Sequence, residues 1–496
     1  INGAFNKLTE NNSLISMIIG AEIRKNRSEN SSLKAAGFYD DALNFIGHAT
    51  GYPTDSKNKP SGNQDLSTEV GFFANANYMY NNRYYADFVY RLSGSSKFGS
   101  NQRYGQFWSG GLGWNLHNEN FLKFEKLNLL KIRGSVGYTG KVNFEPFQSI
   151  TMYKYENTLE YLHGIGAIPQ TIGNDDLKWE REFSYNIGAD ISLFDRRLNA
   201  TLDFYLKRTK DLVLDASIAP STGVVSGKQN IGEMENKGFE FSVDGFIIQR
   251  NDVWWQLGMN GSTNKNRILK ISNALKRQNE LNNDVAPTRQ TPAPLAQYEE
   301  GESTSALKVV RSAGIDPATG REVFIKLDGT RTFTYSADDK VVVGDTDPRF
   351  YGNVYTNVFY KGFSLYIMGS FKCGGYLYNV TRASRVEGTT GRTNVDRRAF
   401  DSRWKEVGDI ALYRNITEHS VPQQTDRFVE KENVLTITSV NLGYEFPQRI
   451  CQKMMLRNLR LGVNLSDILR FSNVKVERGL DYLYGNGFEF TLSTTF

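Results

Sequence analysis

No stretch of this 496-residue chain reaches the roughly 18 uninterrupted apolar residues that a membrane-crossing helix needs. The best run, Leu14 to Ala21, is short and broken by Ser16. A helical membrane bundle is therefore excluded, and the mean hydropathy of -0.47 agrees. That value leaves a membrane β-barrel open, because a barrel's lumen and outer loops are polar. Cysteine is nearly absent: Cys373, in a strand-like run, and Cys451, in a turn, supply neither a disulfide framework nor a metal spacing. The four histidines, His48, His117, His163 and His419, all fall in connections and share no metal spacing. Charge of one sign is also lacking. With 59 basic and 54 acidic residues the net charge is +5, a mixed solvated surface rather than a nucleic-acid footprint.

What the chain has instead is aromatics, at 13%, and 45 glycines against 12 prolines, a balance that suits strands and tight turns. The segment Gly344 to Gly374 shows the building unit. Phe350, Gly352, Val354, Thr356, Val358 and Tyr360 share one side, and Asn353, Tyr355 and Asn357 take the other. After Lys361-Gly362, Phe363, Leu365, Ile367, Gly369 and Phe371 alternate against Ser364, Tyr366, Met368 and Ser370. Successive strand side chains point to opposite faces, so this is a hairpin with one apolar and one polar face. A soluble sandwich would put the polar row in water. A membrane barrel would put the apolar row in lipid, with aromatics at the two interfaces.

The same unit recurs along the chain. Its strands are predicted around Ile1–Leu8, Leu14–Lys25, Val70–Tyr80, Tyr84–Leu92, Trp108–Leu116, Leu130–Tyr138, Tyr185–Leu193, Leu198–Leu206, Phe239–Ile247, Val253–Gly261, the pair just described, Val440–Phe446, Leu459–Leu465 and Phe488–Phe496. Connections then sort by parity. Short ones fall near Asn12, Asn82, His117, Arg196, Asn251, Gly362 and Pro447. Mostly long ones cover Asn26–Thr68, Gly94–Tyr104, Gly140–Glu180, Asp215–Lys228, Ile271–Val343, Gly375–Asn433 and Ser466–Gly487. Outer-membrane barrels show this pattern: short periplasmic turns and long external loops. The prediction is an all-β, transmembrane, antiparallel up-and-down barrel with about fifteen strands. Bacterial barrels of this kind have even strand counts, so an odd number of strands is expected upstream. The chain opens at Ile1 inside a strand-like run and reads as the C-terminal part of a longer protein.

Motifs for chemistry are few. Gly164-Ile165-Gly166 begins like a dinucleotide fingerprint but meets Pro169 where Gly is needed. Gly223 to Lys228 resembles a phosphate loop one residue short, with Gln229 in place of Ser or Thr. No G-x-S-x-G elbow occurs. Asp345 with Asp347, or Asp316 with Asp328, offers carboxylates for Ca²⁺, but turn-forming Asp accounts for them. No catalytic, metal or cofactor residue is assigned, and an outer-membrane enzyme lacks the nucleophile–His cluster it would need. Tyr39, Trp179, Tyr298, Tyr376, Tyr378 and Trp404 are aromatic loop residues suited either to stacking on a ligand or to loop packing. Asn75, Asn77, Asp87, Arg91, Asp190, Asp203, Glu240 and Asp244 are candidates for the lumen side, where solvating the wall is the expected role.

Several motifs, in order, resemble those of SusC/RagA-type TonB-dependent outer-membrane transporters. Gly94-Ser95-Ser96-Lys97-Phe98-Gly99 after Arg91 is similar to that family's RxDGSSRFG, with Ser93 in the Asp position. Leu130-Lys131-Ile132-Arg133 with Gly137 to Gly140 resembles LKLRxSYGxTGN, with Lys141 for Asn. Asn174-Asp175-Asp176-Leu177-Lys178-Trp179-Glu180 resembles NPDLKWE, and Asn236-Lys237-Gly238-Phe239-Glu240 resembles NKGxE. Gly344 to Phe363 resembles GDxDPxFYGG…YKGF, and the final Phe496 resembles the aromatic C-terminus read by barrel-assembly machinery. The resemblance implies a 22-stranded barrel in the outer membrane, an N-terminal plug and TonB box outside this chain, a SusD-like surface lipoprotein as lid, and TonB–ExbB–ExbD as the energy source. It implies import of glycans, oligosaccharides or peptides, without a cofactor. The alternatives are an outer-membrane barrel enzyme and a soluble β-rich surface adhesin.

Overall fold

A computed structural model describes residues 2–495 except 9–11, 53–59, 162–163, 219, 225, 289–291, 390–394 and 476–484. The strands are β1 (Asn2–Leu8), β2 (Ser13–Ser32), β3 (Ser61–Tyr80), β4 (Tyr84–Ser95), β5 (Tyr104–Asn115), β6 (Leu127–Lys141), β7 (Met152–Tyr161), β8 (Gly164–Thr171), β9 (Glu180–Leu193), β10 (Leu198–Ser217) and β11 (Ser226–Arg250). They continue as β12 (Val253–Lys270), β13 (Ala306–Ile315), β14 (Glu322–Ile325), β15 (Arg331–Thr332), β16 (Lys340–Asp345), β17 (Phe350–Tyr360), β18 (Phe363–Tyr378), β19 (Val429–Glu445), β20 (Asn458–Ser472) and β21 (Gly487–Thr495). Fifteen of them form one antiparallel sheet in the order β1-β2-β3-β4-β5-β6-β9-β10-β11-β12-β17-β18-β19-β20-β21, so every barrel strand neighbours its predecessor in the chain. The strand count and the up-and-down order predicted from alternation both hold.

Register carries the apolar row across the whole sheet. Ile19 pairs with Ala74, Ala74 with Tyr90, Tyr90 with Trp108 and Trp108 with Tyr138. Further along, Phe204 pairs with Phe239, Met259 with Val354, Ile367 with Val440 and Val463 with Phe490. One-residue slippage would turn the oily row inward on that strand, so this pattern fixes the pairing. The row is open to the surroundings: Leu112 is 71% exposed, Ile187 65% and Phe490 80%. Among the described residues no second sheet covers it, which removes the soluble-sandwich alternative. No helix among the described residues is long and apolar enough to cross a membrane, which says nothing of strands.

Aromatics mark the short-turn end. Tyr80, Tyr84 and Trp114 stack in sequence, and Phe363 packs on Tyr444. From Phe363 to Phe371 the outward row runs eight residues, roughly 27 Å along a strand at about 3.4 Å per residue. That suits an apolar band about 25 Å tall crossed at a tilt. Lys361 and Gly362 both have positive φ (45° and 94°), the two-residue primed turn that matches strand twist. Asn81 and Asn82 also have positive φ, but Arg83 joins them, so this connection has three residues rather than two.

The expected external loops are corrected in extent and content. β2 runs on to Ser32 and β3 begins at Ser61, so the presumed connection from Asn26 to Thr68 is a paired ribbon at both its ends, with residues 33–60 left between the strands. β10 and β11 likewise stay paired up to Ser217 and Ser226, inside the presumed loop Asp215–Lys228. The segment Gly140–Glu180 holds the hairpin β7–β8. Ile271–Val343 holds helix α1 (Asn273–Val285) and the small sheet β15-β14-β13-β16. A tight turn at Asp316 to Gly320 links β13 and β14. On the short side, Pro447 opens a helix, α2 (Gln448–Lys453), where a plain turn was expected. Phe496 lies outside the described residues.

Candidate functional site: the lumen wall and the loops above it

Hydrogen bonds and ion pairs knit the polar face of the sheet. Arg133, on β6, donates to Asp190 at 3.3 Å and to Asp203 at 2.6 Å, joining β6, β9 and β10. Arg91 pairs with Glu22 across β3. Asp244 accepts from Asn199 and from Gln256, each at 3.3 Å. Asn77 donates to Asn75 at 3.2 Å, and Asn77 stands opposite Asp87 in the register. Asp203 stands opposite Glu240, and both line a hollow of about 540 Å³ with Asn260, Tyr351 and Asn353. All eight lumen candidates thus share one face, in two groups: Asn75, Asn77, Asp87 and Arg91 on β3–β4, and Asp190, Asp203, Glu240 and Asp244 on β9–β11. Sequence reasoning missed their partners Glu22 and Arg133, although both follow the same alternation as the candidates they bind.

Two inward glycines are held by space. A Cβ at Gly258 would lie 2.2 Å from the Tyr355 ring, and one at Gly238 would lie 2.1 Å from the Thr263 carbonyl oxygen. Each lets a neighbouring backbone or tyrosine lie flat on the wall.

Two of the motifs that carry the family resemblance, Gly94–Gly99 and Asn174–Glu180, meet at the outer rim. Phe98 and Leu177 are fully buried, with the Trp179 ring inclined at 33° to Phe98 and 4.3 Å away between centroids. Gly99 donates its N–H to the Leu177 carbonyl at 2.9 Å, and Asn101 donates its own to Asp175 at 3.1 Å. Ser100 Oγ and Asn101 Nδ2 donate to the carboxylates of Asp175 and Asp176. Asn230 then donates to the carbonyls of Lys178 and Asp211 at 2.8 Å each. Glu180 accepts from the Val213 N–H at 2.9 Å. These contacts staple three external connections to each other.

Above β17–β19 the two longest connections fold into one body. Arg427 donates to both oxygens of Glu322 at 2.8 Å and to both oxygens of Glu387 at 2.7 and 2.9 Å. Arg414 donates to Glu387 at 2.8 Å and to the Ser420 carbonyl. Arg403 is buried and donates to the carbonyls of Ala399, Arg414, Val386 and Glu387. Burial works against the Arg427 charge, but the two carboxylates outweigh it and hold the guanidinium well above its ordinary value. Around this hub pack Leu307, Val309, Tyr378, Ala383 and Phe428.

The loop residues fall out as follows. Trp404 donates to the Pro317 carbonyl and lies over Gly320, Tyr376 covers Gly344, Tyr378 is buried, and Trp179 is in the rim staple. Asn279 grips the Tyr298 backbone at both N–H and C=O. Tyr39 is 88% exposed. Packing thus accounts for Trp179, Tyr376, Tyr378 and Trp404. Asp316 and Asp328 accept from Thr319 and Thr330, and Asp345 accepts from the Asp347 N–H, all turn roles. Among the described residues no three His, Cys, Asp or Glu side chains converge. Lys228 sits in β11 paired to Asp215 at 3.0 Å, not in a phosphate loop, and Gly164–Gly166 is in a β-hairpin. Both cysteines are free, and His163 lies outside the described residues.

Residues 18–464 match the family model described as TonB dependent receptor-like, beta-barrel. The chain belongs to the TonB-dependent receptor β-barrel family. It is 28% identical over 491 residues to TonB-dependent receptor P3 of Formosa agariphila, covering 94% of this chain and 48% of that one. It is 35% identical over 214 residues to TonB-dependent receptor SusC of Bacteroides thetaiotaomicron, covering 42% of this chain and 21% of SusC. Among solved structures it is similar to the RagAB peptide transporter, at TM-score 0.81 and 23% identity, over 95% of this chain and 51% of that one. The chain spans about half the length of P3 and of the RagAB chain. Its motifs resemble the SusC/RagA type, SusC and the RagAB transporter are among the proteins it is similar to, and its sheet is a stretch of outer-membrane barrel wall. The relatives are named as receptors and transporters, not as enzymes.

Proposed function

We propose that this chain forms fifteen of the twenty-two strands of a TonB-dependent importer for oligosaccharides or peptides too large for porins. A plug and its TonB box belong to another part of the same protein, and a SusD-like surface lipoprotein serves as lid. One observation carries the reading: a continuous, internally hydrogen-bonded polar wall stands beneath a loop body that is already assembled on the outer side. A wall whose charges are paired holds its shape when a plug is pulled from the periplasmic side. The loop body offers a fixed surface against which a lid and a ligand can close. TonB–ExbB–ExbD would deliver the pull.

The test uses the full-length receptor with the lipoprotein encoded beside it. Labelled oligosaccharides and peptides are offered to cells with and without a protonophore. Import that requires the receptor, the lipoprotein and the proton-motive force supports the reading. Uptake that persists after the proton-motive force is dissipated contradicts it.

A further inference from the structure

Five phenylalanine rings follow one another across the outward face of the sheet. Phe204 on β10 lies 4.6 Å from Phe239 on β11, and Phe241 lies 6.0 Å from both Phe239 and Phe350. Phe350 on β17 lies 5.1 Å from Phe371 on β18, all between ring centroids. On β12, in the middle of this belt, Gly261 keeps the surface low. A Cβ there would stand 2.6 Å from the Phe241 ring and 2.7 Å from the Phe350 ring. Those two rings lie nearly parallel over the glycine, inclined by 11°. Girdles of aromatic residues mark the border between hydrocarbon and headgroups. This border is the external one, because Phe350 opens β17 directly after the long segment 271–343.

The next outward positions beyond the belt on β11 and β12 are two lysines. Lys237 and Lys265 stand directly opposite each other in the register, both are exposed, and neither is ion-paired among the described residues. On its other side Lys237 pairs with Leu206 of β10. From Leu198 to Leu206 the outward row of β10 runs about 27 Å, so the lysines stand at the far edge of an apolar band about 25 Å tall. Like charges directly opposite on one face of a sheet repel and weaken the pairing. The nearby acidic groups are engaged elsewhere. Arg181 is ion-paired with Asp211, and Arg208 with Glu233. Glu235 stands opposite Arg208 on one side and Arg267 on the other. An anion seated between the two ammonium groups would remove the repulsion that these carboxylates leave in place.

We propose that the Lys237–Lys265 pair and the phenylalanine belt beneath it form a binding site for a phosphorylated lipid of the outer leaflet. The phosphate sits between the two ammonium groups, each a compact charge with three rotatable donors. The acyl chains lie against the rings below, where a flat aromatic row gives them continuous contact. A free phosphate would meet the lysines alone and make no use of the belt. The site is on the outside of the wall, so it stands whatever the lumen carries.

The experiment titrates the full-length receptor, purified in a neutral detergent, with lipid A and follows the lipid adducts by native mass spectrometry at fixed ionic strength. Lipid A stripped of its phosphates and inorganic phosphate are titrated in parallel. Wild type is compared with K237Q/K265Q and with K207Q/K372Q. The second variant removes the same charge from the inner face, where Lys207 lies over the Tyr205 ring and Lys372 stands opposite Tyr351. Heat-modifiable gel mobility confirms that each barrel is folded. A lysine near a membrane surface strengthens the binding of an anionic lipid about fivefold, so K237Q/K265Q should bind lipid A at least roughly tenfold more weakly than wild type. K207Q/K372Q should bind it as wild type does, and the stripped lipid should bind wild type no better than it binds K237Q/K265Q. Equal binding of lipid A by wild type and folded K237Q/K265Q would overturn the proposal, as would equal binding of lipid A with and without its phosphates. Displacement of lipid A from wild type by inorganic phosphate at matched ionic strength would reveal a bare anion site and overturn the lipid as its occupant.

Discussion

Replacing Arg427 by Leu should open the external loop body without unfolding the barrel. The guanidinium is 11% exposed and is the only side chain that donates to both Glu322 and Glu387 in the described structure. Its removal leaves Glu322, itself 2% exposed, with no cation partner in the hub, while Glu387 keeps Arg414. Breaking a buried ion pair from one side costs about 3–5 kcal/mol, because a desolvated charge is left uncompensated. At about 1.4 kcal/mol per tenfold, the population of opened loop body should rise by roughly a hundredfold to a few thousandfold. The assay is limited proteolysis of the folded receptor in detergent, following cleavage within 306–428. R427L should be nicked faster by a factor in that range, and R427L/E322Q by less, because a neutral amide at Glu322 no longer carries the stranded charge. The barrel band should keep its heat-modifiable mobility. Nicking at the wild-type rate would refute the claim that this hub holds the two longest loops together.

Other consequences are quicker to state. Arg at Leu112, on the outward row of β5, should destabilise the barrel by about 2–4 kcal/mol, whereas Arg at the inward neighbour Ser109 should cost far less; refolding titrations into lipid vesicles compare them. Burial raises the Asp426 carboxyl above its ordinary value, so the folded loop body binds that proton more tightly than the unfolded chain does. Its stabilising share is then complete below the ordinary aspartate value near pH 4 and is lost as pH rises through the raised one. D426N should accordingly flatten the pH dependence of nicking in that window. Trp179→Ala removes the ring contacts with Phe98 and Phe107 and should cost about 0.5–1.5 kcal/mol for each, read as faster amide exchange in residues 96–103 and 174–180.

Alternation made the membrane part of the fold legible, because lipid on one side and water on the other force every second residue to differ. It failed where that asymmetry ends. Beyond Ile23 the ribbon β2–β3 is wetted on both faces, so Arg24 to Ser32 shows no period and reads as a loop although it remains paired. Helix α1 escaped for a related reason: its sequence, NALKRQNELNNDV, is polar on most sides and holds its neighbours through Asn side chains rather than an oily stripe. The hub was out of reach because Glu322 and Arg427 are 105 positions apart, and single charges in polar segments look like solvated surface until a fold brings them together. The lumen candidates were legible as a face, since strand parity alone places them. Their grouping around Arg133 was not, because partner choice depends on register between strands.

Depth-dependent quenching tests the central claim most directly. A fluorescent probe is placed by single-cysteine labelling at Leu365 and, separately, at Tyr366, in a receptor whose Cys373 and Cys451 have been replaced, and the protein is reconstituted into bilayers containing nitroxide-labelled lipids. The account predicts strong quenching by lipid at position 365 and quenching by water-soluble iodide at position 366. Equal quenching of both positions by iodide, or shielding of position 365 from lipid and iodide alike, would contradict it.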